Sequence, residues 1–259
     1  MTTKKLKTVA LGLLSLSGIL LTSCNTNPKE SGLENLTQYV DPYIGTGDHG
    51  HVFLGANVPF GLVQLGPTNY STGWDYHITD STIIGFGHMH LSGTGIGDLG
   101  DISFMPATGD VTLKRGVLGD DKSGIYSLFR RETEKVKPGY YAVHLDRFNI
   151  DVELTSTKRV GFHKYTFPES NDSKIIIDLQ HGIGWDAPVE GYLIQENDST
   201  ISGYRYSKGW ANDQKIYFTA QFSKPIKKFI VSDTTSVRSG HGPGASIHPD
   251  LYESGLNAS

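Results

Sequence analysis

The chain has 259 residues, 37% of them hydrophobic and 19% charged, with a formal net charge of −4. That is room for one large domain or two small ones with a real core, and it excludes a mostly disordered chain. Glycine is abundant at 31 residues and Tyr plus Phe reach 24. With few long Ala/Leu/Glu/Lys runs, this balance points to strands and turns.

The first segment reads as an export signal. Lys4, Lys5 and Lys7 form a basic n-region, and Val9 to Leu21 an apolar stretch too short for a comfortable transmembrane helix. It closes on Leu21-Thr22-Ser23-Cys24. This resembles the lipobox of bacterial lipoproteins, which implies lipidation of Cys24; an ordinary secretory signal with a chance cysteine is the alternative. Cys24 is the only cysteine and has no disulfide partner within the chain. Residues 24–38 read as a polar tether. Removing residues 1–23 leaves 20 basic against 27 acidic residues, a net charge near −7. With no Lys/Arg cluster, nucleic acid is excluded as a partner. Membrane attachment should come from lipid, not from a basic surface.

From residue 39 to 238 the pattern is that of a loop-rich, all-β domain, a large antiparallel sandwich without substantial helix. Alternation marks strands at Tyr140–Leu145, Ile150–Thr155 and Ile216–Phe222. Further candidates are Gly61–Leu65, Asp101–Met105, Asp110–Leu113, Val160–Phe167, Lys174–Leu179 and Thr200–Tyr206. Pro138-Gly139, Pro168 and Asn197-Asp198 punctuate them as turns. Many short strands with no helices between them suggest the sandwich. Residues 41–100 are instead loop-rich in Gly, His and Asp, where binding groups tend to sit. Residues 239–259 read as an irregular tail or a truncation point.

Within the loop region, residues 45–51 read GTGDHGH and contain G-x-G-x-x-G. A dinucleotide loop needs a strand before it and a helix after it. Pro42 breaks the first, and Gly55 and Pro59 the second, so a phosphate role is rejected. His49 and His51, like His88 and His90, are two apart and would converge on an extended strand. A zinc site would need three or four ligands, and neither HExxH nor CxxC is present. Histidines that cap turns are the favoured reading, with zinc as the alternative. In GWDYH, Trp74 beside Asp75 offers an apolar plane next to polar groups, which suits a sugar. A plain core aromatic fits equally well.

Several long motifs occur together: YVDPYIGTGDHGHVFLGANVPFGLVQLGP, STGWDYH, IIGFGHMHLSGTGIGDLGDISFMP, VGFHKYTF, ISGYRYSKGW and KIYFTAQFSKP. In order from about Tyr39 to about Val231 they resemble the N-terminal domain of glycoside hydrolase family 92. The resemblance implies a calcium-dependent exo-α-mannosidase acting by inversion on mannose-containing glycans. Such proteins are often lipoproteins or periplasmic proteins of gut Bacteroidetes. It implies an N-terminal β-sandwich packed on a larger (α/α) toroid that carries the acid, the base and most calcium ligands, and that is missing from this sequence. No catalytic residue and no complete calcium site are therefore expected here. Inverting hydrolysis needs two carboxylates roughly 6.5–9.5 Å apart; Asp75, Asp98 and Asp101 lie nearby, but the family pattern gives them no such role. By resemblance, Trp74 faces the sugar next to the scissile bond. Asp75, Gly47, His49, His88 and His90 are the further substrate-contact candidates. Asp48 departs from the glycine expected in the family's run.

The leading expectation is thus one wall of a mannoside site on an exported, lipid-anchored chain that is inactive alone. A stand-alone sugar-binding lipoprotein, with Trp74, Trp185 and Trp210 as platforms, is the second reading. A self-sufficient metal hydrolase using the histidine pairs is the third.

Overall fold

The computed structural model describes residues 35–70, 74–232 and the backbone of Glu253–Ala258. The signal segment, Cys24, Gly73 and the stretch 239–252 lie outside the described residues. The chain divides after Gln38, and residues 39–259 form the second unit.

That unit is almost wholly antiparallel strand. The largest sheet contains β1 (Ala56–Asn57), β2 (Gln64–Thr68), β4 (Gly85–Gly87), β5 (Ser103–Thr108), β11 (Ser173–Asp178), β16 (Glu253–Ala258) and β15 (Ile226–Ser232), in that spatial order. A four-stranded sheet runs β10 (Gly161–Thr166), β9 (Ile150–Ser156), β8 (Tyr140–Leu145) and β7 (Lys135–Lys137). A third sheet runs β12 (Ala187–Asn197), β13 (Thr200–Lys208) and β14 (Gln214–Gln221), and β3 (Thr82–Ile83) pairs with β6 (Ser127–Leu128). Among the described residues the only helical pieces are 3₁₀ turns at Leu36–Tyr39 and Arg131–Thr133. The all-β expectation therefore holds.

Two strands explain the layering. In β11, Ile176 joins one apolar cluster while Ile175 and Ile177 join another; in β5, Met105 and Phe104 divide in the same way. Successive residues of a strand point to opposite faces, so both faces of the central sheet are covered. This is why Ile175-Ile176-Ile177 is a continuous apolar run rather than an alternation. On one side Tyr141, Val143, Leu145, Ile150, Val152 and Leu154 of β8 and β9 complete a closed core. On the other, Leu193 and Ile201 of β12 and β13 are buried, while Ile216, Phe218 and Ala220 of β14 are only partly covered. There the two edge strands β10 and β14 border an open groove of about 1340 Å³, lined by His163, Tyr165, Phe167, Ile216, Phe218 and Phe222.

The predicted turns fall into place. Pro138-Gly139, with Gly139 at φ +75°, joins β7 to β8. Asn197-Asp198 joins β12 to β13, with the Asn197 side chain accepting from Ser199 N at 3.0 Å. Other expectations are corrected. No strand forms over Asp110–Leu113; Val111 and Leu113 instead pack their side chains against the closed core from a loop. β2 and β5 begin two or three residues later than expected, and β12 and β15 had no clear alternation. Where an irregular tail was expected, β16 pairs with both β11 and β15, so distant backbone partners supply what its own sequence does not signal.

Candidate functional site

The loop 45–51 is shaped by backbone conformation. Gly45, Asp48 and His51 all have positive φ, at +85°, +49° and +54°. Aspartate is among the few L-residues that tolerate this region, so Asp48 occupies a position where glycine would be free of strain. A Cβ on Gly50 would fall 2.0 Å from the Gly45 carbonyl oxygen, so only glycine lets the loop fold back on itself. Gly50 N donates to Gly47 O at 3.0 Å and Val52 N to Gly45 O at 3.1 Å. Gly47 is half-buried facing Ile78, and no helix follows, in keeping with the rejection of a phosphate loop.

The loop exposes His49 and seats His51 against Trp74. The His51 and Trp74 rings stack with centroids 4.4 Å apart and planes within 23°, and His49 meets His51 edge-on at 5.9 Å. Backed by imidazole, Trp74 remains 38% exposed. His51 Nε2 is buried and has no hydrogen-bond partner. Trp74 is thus not a core aromatic but a supported, solvent-facing plane.

Asp75 and His90 lie elsewhere than the sequence suggested. They are 2% and 4% exposed and form a buried hydrogen-bonded pair through Asp75 Oδ2 and His90 Nδ1, burial pushing His90 down to about 4. Asp75, at φ +89°, turns its carboxylate inward, where Thr68 Oγ1 donates to it at 2.6 Å. The His90 ring stacks on Phe53 at 5.1 Å. This pair fastens the Trp74 turn to the 88–90 turn and has no surface to offer a ligand.

His88 parts company with His90, because β4 ends at Gly87 and the two-residue rule for strands no longer applies. His88 Nδ1 donates to Ile102 O at 2.7 Å, and its Nε2 stands 3.0 Å from His163 Nε2. His163 Nδ1 in turn lies 2.7 Å from Tyr165 OH. The bonds fix one direction: the phenol donates to His163, His163 donates to His88, and His88 donates to the carbonyl. Burial pushes His88 down to about 4 and His163 well below its ordinary value. His88 therefore belongs to the groove, not to the Trp74 surface.

The remaining carboxylates are also engaged. Asp98 is buried and accepts from Trp210 N at 2.9 Å and Gln214 Nε2 at 3.1 Å. Asp101 and Asp186 share one fully buried cation, Arg205, which also donates to Leu179 O at 2.8 Å. Burial opposes the Arg205 charge, but Asp186 and Asp101 outweigh it and raise its pKa. Glu134 receives the hydroxyls of Tyr76 and Tyr141 at 2.9 and 2.8 Å. Neither centre was apparent from sequence: Arg205 and Asp101 are 104 residues apart, and nothing local marks either. Calcium takes about six to eight oxygen ligands. Among the described residues no three His, Cys, Asp or Glu side chains gather as a metal site, and the buried carboxylates already hold protein donors. These residues do not fit a calcium centre.

Residues 39–248 match the glycosyl hydrolase family 92 N-terminal domain. A family GH92 α-mannosidase from Bacteroides thetaiotaomicron, solved in complex with mannoimidazole, superposes with a TM-score of 0.75 and is 36% identical, over 86% of this chain and 30% of that one. An inverting GH92 mannosidase from B. thetaiotaomicron VPI-5482 shares the fold at 23% identity and a TM-score of 0.65, over 85% of this chain and 29% of that chain. An uncharacterized secreted glycosidase from Arthroderma benhamiae is 29% identical over 164 residues, 56% of this chain and 20% of the relative. The chain thus spans a third or less of each of these proteins. With the match covering most of its length, the chain belongs to the glycosyl hydrolase family 92 N-terminal domain family.

Proposed function

We propose that this chain supplies one wall of an α-mannoside-binding site, and that the acid and base of hydrolysis lie outside the residues matched to the family's N-terminal domain. The observation that carries this reading is the Trp74 plane. It is backed by His51 and held outward beside the glycine loop, while the neighbouring Asp75 carboxylate is turned inward and bonded. An indole face suits the apolar C–H face of a pyranose, and the exposed His49 offers hydrogen bonds at its edge. Gly47 contributes backbone shape rather than a side chain. The mannoimidazole complex of the 36%-identical α-mannosidase supports the substrate class. Calcium, where the family's enzymes use it, is held mainly by residues outside this domain. The Leu21–Cys24 sequence supports export and lipid anchoring at the cell envelope, and the secreted relative is consistent with export.

The test is direct. The purified chain is expected to release no nitrophenol from nitrophenyl α-mannoside, while α-mannobiose shifts the Trp74 indole resonance. Turnover that a chelator abolishes would overturn the assignment of chemistry to another domain.

A further inference from the structure

All three tryptophans of the chain follow a glycine, in TGW, IGW and KGW. For two of them the structure shows what the glycine does. A Cβ on Gly184 would lie 2.4 Å from the Gly97 carbonyl oxygen, and one on Gly209 would lie 2.2 Å from Asp98 Oδ1. Each glycine lets its backbone close onto the 97–98 loop. Trp185 N then donates to Gly97 O at 2.9 Å and Trp210 N to Asp98 Oδ2 at 2.9 Å. The main chains are pinned inward and the indoles stand outward, 57% and 63% exposed. Their ring centroids are 6.2 Å apart with planes within 22°. Two side-by-side indoles left in water, their backbones held by the Gly97 carbonyl and the buried Asp98 carboxylate, are costly unless something covers them.

The same loop reaches the Trp74 surface. Gly93 N donates to His51 O at 2.7 Å, and His51 backs Trp74. From Gly93 to Gly97 the backbone spans at most about 14 Å when fully extended. The two aromatic surfaces are therefore tied to the two ends of one short loop, within reach of a short oligosaccharide. Asn212 and Asp213 beside Trp210 are exposed and supply polar edges. Flat apolar planes with polar edges and no basic cluster match a neutral polyhydroxylated ligand.

The geometry points to the Trp185–Trp210 pair as a second sugar platform, receiving mannose units further along a chain whose terminal part rests on Trp74. This rests on the reading of Trp74 given above, and extends it from one sugar contact to the length of glycan held. The competing occupant is a polypeptide surface, which the test separates.

Three tryptophans give three indole N–H resonances, assignable by single Trp→Phe variants. The full chain, labelled with ¹⁵N, is titrated with α-mannobiose, with a linear α-mannotetraose and with maltotetraose. Trp74 is expected to move with both mannosides, and Trp185 and Trp210 with the tetraose only. A Trp185→Ala/Trp210→Ala double variant is expected to lose about fivefold in tetraose affinity, the worth of one aromatic contact. If Trp74 moves with the tetraose while Trp185 and Trp210 stay silent, the second platform is wrong and a protein-covered surface takes its place, with the Trp74 reading intact. An equal response of the pair to maltotetraose also overturns it. If no mannoside moves any indole, the Trp74 reading falls and takes the platform with it. The titration of the unaltered chain decides these outcomes even if the double variant does not fold.

Discussion

The two faces of β11 differ in how completely they are covered. Ile176 looks into a core where Tyr141, Leu145, Ile150 and Leu154 are all buried to within 1% of full enclosure. Ile175 and Ile177 look toward a side where Ile216, Phe218, Ala220 and Phe222 remain half-open along the groove between β10 and β14. Both faces are equally apolar in sequence. A strand's pattern thus reports which residues point inward, but not how closely the space they point into is filled.

The largest effect is expected where charge is sealed between strands. Arg205→Ala removes the cation shared by Asp101 and Asp186 and leaves two buried carboxylates unpaired. Chemical denaturation should show a loss of about 3–5 kcal/mol; a loss under about 1 kcal/mol would mean that water reaches this centre and that it is not closed. Next comes a matched pair. Leu145→Ala in the closed core should cost about 2–5 kcal/mol, and Phe218→Ala on the groove less than half of that, because a side chain that is partly in water has less burial to lose. Equal urea midpoints for the two variants would erase the contrast between the faces.

A pH dependence belongs to the groove side as well. His88 and His163 are lowered by burial in the folded chain, against about 6.5 when unfolded. Between about pH 6.5 and pH 4 the unfolded chain therefore binds more protons. Their contribution is complete above that window and is lost as pH falls through it, by at most about 1.4 kcal/mol per pH unit for each ring. Thermal melts from pH 7 to pH 4.5 should show a shallower decline for His88→Gln/His163→Gln than for the unaltered chain. Parallel declines would show that these rings are already solvated.

How much of this was legible beforehand depends on how local each cause is. The alternation in β8, β9 and β14 and the Pro138-Gly139 turn are written in neighbouring residues, and they appear where expected. The family motifs also led to the right domain family. Asp75 and His90 misled because their residue types suit a sugar site. Whether a carboxylate faces water or a histidine is decided by the φ of Asp75 and by a partner 15 residues away. His88 misled because the strand ended one residue too soon. Arg205, Asp101 and Asp186 were invisible for the same reason as β16: their partners meet only through the sheet order.

That sheet order also sets a sequence of events in time. β5 pairs along its length with β11, from Ser173 opposite Thr108 to Asp178 opposite Ser103, so its edge waits through more than sixty residues of synthesis before its partner exists. β16 must then enter between β11 and β15. The β7–β10 and β12–β14 sheets join consecutive strands and can form as the chain emerges, but the central sheet cannot. One edge of β5 stays open until β11 exists, which favours slow folding and makes the growing polypeptide dependent on protection from its own neighbours.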